Sequence, residues 1–302
     1  VSLLRLAFRI AYDAFLAFSR DDGWAIASHI ALSTLMSLFP FLIFITALTG
    51  FLGTQDLADQ VALILLEAWP EEVSGPIASE IENVLTTAHG GLLTVGVVLA
   101  IYFSSSGVES LRIGLNRAYG VVEMRPWWLL RIESIGYVLI GAVAMIALAL
   151  LVVLGPLMFR AAVIYAPWLD PLERMVTFLR FGVASTLLVI ALVMAHKWLP
   201  AGRRSLVDIA PGIVVTLAMW LLTGIVFGRY IAEFAGAYVA MYAGLASAMV
   251  ALVFLYWTAS IFVYGGELNE AIIKARAARE KTPRAGRADV GRADAEDVAA
   301  PE

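Results

Sequence analysis

Six stretches of this chain, at about residues 25–53, 91–111, 132–159, 175–196, 206–228 and 242–268, are apolar over the roughly 20 residues that a helix needs to cross a hydrocarbon core. With 61% hydrophobic residues in 302 and only 15% charged, a single soluble core cannot hide that much apolar surface. Lipid must be part of the solvent. Inside lipid each backbone amide has to find its partner within the protein, and a helix does this within its own segment. The expected fold is therefore all-α: a polytopic membrane protein whose six transmembrane helices occupy residues 25–272.

Orientation follows from the basic residues, because short cytoplasmic loops retain Lys and Arg while exported loops are depleted of them. With six spans and both ends inside, the cytoplasmic segments hold 17 basic residues and the external ones only Arg160, Arg174, Arg180 and Arg229. Missing one span would move every later loop to the other side and destroy this asymmetry. Both termini are expected in the cytoplasm.

Three further segments frame the bundle. Residues 1–24 place Leu4, Ala7, Phe8, Ala11, Phe15 and Phe18 on one helical stripe and Arg5, Arg9 and Asp13 on another, the pattern of an interfacial amphipathic helix. Charges interrupt its apolar run too often for a signal peptide. Residues 54–90 carry seven acidic and no basic residues, with two apolar stripes on either side of Ser74-Gly75-Pro76, and predict an extracytoplasmic helical hairpin. The end of the chain, 283–302, repeats Gly-Arg-Ala-Asp and offers little to bury, so a disordered cytoplasmic tail is expected.

Ionisable groups near spans face a protein interior or a wet cavity, because hydrocarbon penalises them. Glu109, Arg112 and Asn116 are spaced i, i+3, i+7 and share one face near the cytoplasmic end of the second span, just after Ser104-Ser105-Ser106-Gly107. They are the leading candidates for a polar, ligand-binding site. An internal Glu109–Arg112 pair that holds helices together accounts for the same spacing. Glu267 and Asn269 follow Gly265-Gly266 at the end of the last span, where two glycines also permit close helix packing. His29 lies about a turn inside the first span among Ser28, Ser33, Thr34 and Ser37, and as a lone histidine suits a packed, hydrogen-bonded role as well as a proton relay.

Catalytic chemistry finds little support. The chain has no cysteine, and His29, His89 and His196 show no metal-ligand spacing, so neither a metal nor another cofactor is expected. GxSxG, Walker A, HExxH and GxGxxG motifs are missing, and no soluble catalytic domain is left over once the spans are removed. The chain is not expected to be an enzyme. No basic track suggests nucleic acid as a partner.

Four stretches resemble the YihY/BrkB family of bacterial inner-membrane proteins, whose members once carried a ribonuclease BN label. They are Leu35-Met36-Ser37-Leu38-Phe39-Pro40; Leu115-Asn116-Arg117-Ala118-Tyr119-Gly120-Val121 with Glu123 and Arg125; Leu199-Pro200; and Gly265-Gly266-Glu267-Leu268-Asn269. The resemblance covers about residues 10–275. Where the family has tyrosine-rich stretches, this chain has Ala31-Leu32-Ser33 and Tyr242-Ala243-Gly244-Leu245-Ala246. The resemblance implies a six-helix inner-membrane protein with links to envelope integrity, serum resistance and lipid or lipopolysaccharide export. It implies no reaction, and a ribonuclease would need a metal cluster and a basic groove that this chain lacks.

The reading that combines these features is a transporter-like protein that handles an envelope lipid or amphiphile through a polar cavity at the cytoplasmic end of the bundle. A non-transporting scaffold for envelope machinery is the alternative. Membrane lipids are the expected partners of the first, envelope proteins of the second. A transporter is expected to show a cavity lined by Glu109, Arg112, Asn116 and Glu267. Neither reading selects an oligomeric state.

Overall fold

The computed structural model describes residues 3–51, 92–242 and 245–297. All regular structure among them is helical: α1 (Leu3–Arg20), α2 (Gly23–Phe51), α3 (Leu92–Ala118), α4 (Trp127–Tyr165), a short 3-10 helix (Pro167–Leu172), α5 (Glu173–Trp198), α6 (Leu206–Tyr242) and α7 (Ala246–Asp297). The hairpin expected at 54–90 lies outside the described residues. Helical backbone in α7 continues to Asp297, into the segment 283–302 whose composition predicts disorder, while its described side chains end at Ala278.

The helices close a ring. α2 packs on α3 and α7, and the circuit continues through α3 on α4, α4 on α5, α5 on α6 and α6 on α7, with α3 also touching α7 across the middle. The principal core, which includes Ile30, Leu115, Leu192, Ile209, Phe262 and Val263, draws on α2, α3, α5, α6 and α7. A smaller one gathers Ala100 of α3 with Val138, Ala142 and Ala149 of α4.

Outside this core the surface is itself apolar. Helix α5 buries only Leu192 and His196, while Phe178, Leu179, Phe181 and Ile190 stand exposed along it. Such a helix, hydrophobic all round, is stable only where hydrocarbon covers the remaining faces. Trp127–Leu151, Glu173–Trp198, Leu206–Phe234 and Ala248–Ala278 are each long and apolar enough to cross a membrane, and Gly23–Leu38 is a shorter apolar stretch. The described residues are all helical, and their apolar helices are those of a membrane protein.

Helix α1 lies chiefly on α7, where Ala14 and Phe18 are buried and the Tyr264 hydroxyl donates to the Ala11 carbonyl oxygen at 3.1 Å. Phe8, Tyr12, Phe15 and Leu16 remain exposed beside Arg9, Asp13 and Arg20, so the outward side of α1 carries both apolar and charged side chains. Asp22, at φ 59°, makes the turn into α2, and a side chain on Gly23 would overlap Phe18.

Candidate functional site

Polar chemistry concentrates at the bundle end where α3 stops and α4 begins. Gly120 adopts φ +59°, its N–H donates to the Arg117 carbonyl at 2.9 Å, and the Val121 N–H reaches the Asn116 carbonyl at 2.9 Å. This pair of bonds is a Schellman cap, which satisfies carbonyls that the helix end would otherwise strand. Tyr119-Gly120 therefore has a structural meaning: glycine takes the left-handed position, and the chain turns into the loop 119–126.

Arg125 binds that loop into the bundle. Its Nε and Nη2 donate to the two oxygens of Glu123 at 2.8 and 2.7 Å, its Nη1 to Glu133 Oε2 at 2.8 Å, and Nη2 also to the Leu199 carbonyl at 3.0 Å. One guanidinium thus joins the α3–α4 loop, the first turns of α4 and the α5–α6 loop. Asn116 extends the network, donating to Glu123 at 3.2 Å and accepting from the Ala201 N–H at 2.7 Å. The hydrogen bonds from Arg125 outweigh burial and hold the Glu123 carboxyl at about 2, and the same bonds push the Arg125 guanidinium above its ordinary value.

Arg112 sits deeper, 2% exposed, and donates through Nη2 to the Leu130 carbonyl at 3.0 Å and the Ser134 hydroxyl at 2.7 Å. Glu133 Oε2 lies 4.0 Å away, so Glu133 serves both Arg125 and Arg112. The Nε and Nη1 groups of Arg112 are buried without a hydrogen bond among the described residues.

A second chain of bonds crosses the bundle behind this network. Asn269 Oδ1 accepts from the Gly212 N–H at 2.6 Å, and its Nδ2 donates to the Tyr119 hydroxyl at 3.1 Å, which lies 2.8 Å from His196 Nδ1. With Tyr119 donating onward to His196, three buried polar side chains are linked across α7, the end of α3 and α5. The crossing is close: a Cβ on Gly212 would overlap the Gly265 carbonyl oxygen, and one on Gly265 would overlap the Thr216 hydroxyl. The two glycines let α6 and α7 approach near enough for Asn269 to reach a backbone amide.

In front of the network the loops enclose a recess of about 620 Å³. That lies within the range of roughly 300 to 1,000 Å³ typical of small-molecule sites. Arg125, Lys197, Arg203 and Arg204 line it, against the single carboxylate of Glu123, which Arg125 already neutralises. Neither Lys197, Arg203 nor Arg204 is ion-paired to a carboxylate among the described residues. Arg204 lies 3.8 Å above the Tyr119 ring and donates to the Ala201 carbonyl at 3.0 Å, and burial holds its guanidinium below the usual range. Val122, Met124 and Trp198 form an exposed apolar rim to this cationic floor.

A model of the family described as Virulence factor BrkB matches residues 14–289. The chain belongs to the BrkB family. It is also similar to the ribonuclease-like protein YfkH of Bacillus subtilis (strain 168), at 28% identity over 272 residues that cover 90% of this chain and 98% of the relative. No solved structure matches it.

In this BrkB-family chain the candidate residues do not gather at one place. Arg112 and Asn116 join one network, as their shared face suggests, but through Glu133, Arg125 and Glu123 rather than directly. Glu109 does not hold Arg112: it accepts from Arg131 at 2.6 Å, and Arg131 in turn lies 3.8 Å above the Tyr102 ring. Helical spacing put Glu109 and Arg112 on neighbouring positions, yet α4 supplies each with a nearer opposite charge or acceptor. Asn269 is part of the Tyr119 chain, Glu267 is buried beside a groove between α1 and α7, and His29 is exposed on the side of α2. The four residues expected to line one cavity therefore do not share either recess: Glu267 borders the groove, while Asn116 lies behind the basic recess. Among the described residues no three His, Asp or Glu side chains gather as metal ligands would.

Sequence reasoning passed over Glu133, Lys197, Arg203 and Arg204. A signal for Glu133 was present, since it is an isolated carboxylate eight residues after Arg125 at the mouth of a span. The three cations stand within eight residues, but only the fold turns them toward Glu123 and Arg125.

Proposed function

We propose that this protein spans the bacterial inner membrane six times, both termini cytoplasmic, and handles an anionic amphiphile whose headgroup enters the recess between the α3–α4 and α5–α6 loops. The observation that carries this reading is a set of three cations without carboxylate partners facing one cavity under an apolar and aromatic rim. A phosphate or carboxylate headgroup supplies the missing charge, while Val122, Met124 and Trp198 meet the start of its chain. The structural network behind the recess keeps Arg125 fixed and the Tyr119 ring and Ala201 carbonyl hold Arg204 in place, so Lys197 and Arg203 are the residues most free to bind.

The ribonuclease-like name of the Bacillus relative suggests RNA instead. The cations here form a compact floor with an apolar rim rather than a track along which a strand could lie, and this favours a headgroup. The scaffold reading has its own support, because Arg125 and Asn116 lock the bundle end with bonds that leave little slack.

Movement of labelled phosphatidylglycerol between leaflets of phosphatidylcholine vesicles distinguishes the readings. Reconstituted wild type is expected to speed it at least tenfold over empty vesicles, and Lys197→Gln with Arg203→Gln to remove most of that gain. Each basic residue near an anionic surface contributes about 1 kcal/mol, so the double change weakens headgroup binding by roughly 30-fold. Wild-type vesicles that behave as empty ones would refute transport and leave the scaffold.

A further inference from the structure

The groove between α1 and α7 is lined by charges of both signs. It encloses about 560 Å³ and is bordered by both charged and apolar side chains, with Leu6, Ile10 and Leu16 from α1 facing Ala271 of α7. Three carboxylates line it. Asp13 lies 3.9 Å from Arg9, and Glu270 lies 3.4 Å from Lys274, each within its own helix. Arg20, the remaining cation of the groove, is paired with Asp21 at 3.4 Å.

Glu267 alone is left over. It is 4% exposed, lines the groove, and has no hydrogen bond or ion pair among the described residues. Its carboxylate opens only onto the groove, and Arg20 and Lys274, which act on it from the groove walls, are paired with Asp21 and Glu270, so this position favours a proton or a further cation. A metal ion is a poor match, because hard cations require several oxygen ligands and the neighbouring carboxylates are committed elsewhere. An ammonium group needs only one carboxylate. Apolar walls beside that carboxylate suit an ammonium carried on a hydrocarbon stem, and Tyr264 pins α1 against α7 to keep the walls together.

We infer that the α1–α7 groove is a binding site for an ammonium-bearing amphiphile, with Glu267 as its counter-ion. This site is separate from the basic recess and stands or falls without it. The ammonium could come from the headgroup of an amine phospholipid or from a free aliphatic amine, and the two are separable by experiment.

The test follows thermal unfolding of the full chain in neutral detergent, by tryptophan fluorescence, as phosphatidylethanolamine, phosphatidylglycerol or butylamine is added. Three proteins are compared: wild type, Glu267→Gln, which removes the charge at constant volume, and Glu267→Asp, which keeps it. Phosphatidylethanolamine is expected to raise the midpoint of wild type and of Glu267→Asp, with a half-saturating concentration at least tenfold higher for Glu267→Gln. Butylamine without effect then assigns the site to the lipid headgroup, and butylamine with a charge-dependent effect of its own assigns it to soluble amines. Equal responses of wild type and Glu267→Gln to both amines, or a wild type that responds to phosphatidylglycerol as strongly as to phosphatidylethanolamine, would overturn the inference.

Discussion

Replacing Glu123 with Gln removes the carboxylate that Arg125 grips with two short bonds and Asn116 with a third. The side chain is 19% exposed, and its carboxyl is held at about 2 against an ordinary 4.5. Converted at about 1.4 kcal/mol per unit, that depression corresponds to about 3 kcal/mol in favour of the folded state as an upper figure. Solvent on the recess side screens part of it, which leaves roughly 1 to 2 kcal/mol. Because the folded carboxyl is the stronger acid, its contribution is complete above pH 4.5 and fades as pH falls from there toward 2. Thermal unfolding in neutral detergent should show Glu123→Gln several degrees below wild type at pH 7, with the gap closing between pH 4.5 and 2. Equal midpoints at pH 7, or a gap that persists unchanged to pH 2, would refute the assignment of Glu123 as the clamp of these loops.

Gly212→Ala should cost about 3 kcal/mol or more, because its Cβ must displace the Gly265 carbonyl and Asn269, whereas Gly224→Ala on the same helix meets nothing and should be neutral or slightly stabilising by unfolding midpoint. Arg112→Gln should destabilise by about 3 kcal/mol, Glu109→Gln by less than about 1, and a double-mutant cycle should find coupling below about 0.5 kcal/mol, since Glu109 is bound to Arg131 and reaches Arg112 only through space. Cysteine placed at Glu72 should react with an impermeant thiol reagent on intact cells and cysteine at Thr282 should not, and the reverse pattern would contradict the orientation read from the basic residues.

Helix positions were legible because apolar run length and helix geometry set them locally: the runs at 132–159, 175–196 and 206–228 fall within α4, α5 and α6. The charged cluster was legible only in part. An i, i+3, i+7 spacing says that Glu109, Arg112 and Asn116 share a face, but the partner of each is chosen by whatever packs on that face. Here α4 brings Arg131 to Glu109 and Ser134 to Arg112, and the loops bring Glu123 to Asn116. The same limit hid the Tyr119–His196 contact, in which residues 77 positions apart meet because α3 and α5 end on the same side of the ring. Three of the four stretches that resemble the family are the exception. Leu115–Val121, Glu123 and Arg125, Leu199-Pro200 and Gly265–Asn269 converge on one end of the bundle, where they cap α3, clamp two loops and allow α6 and α7 to touch.

If three cations without carboxylate partners hold an anionic headgroup, that lipid should accompany the protein out of the membrane. Full-length wild type and the Lys197→Gln, Arg203→Gln double variant are extracted in native membrane discs, and the phospholipid retained after detergent exchange is identified by mass spectrometry. Wild type should retain anionic phospholipid enriched at least threefold over the surrounding membrane, and the variant should retain none in excess. Identical lipid profiles from the two proteins would contradict the account.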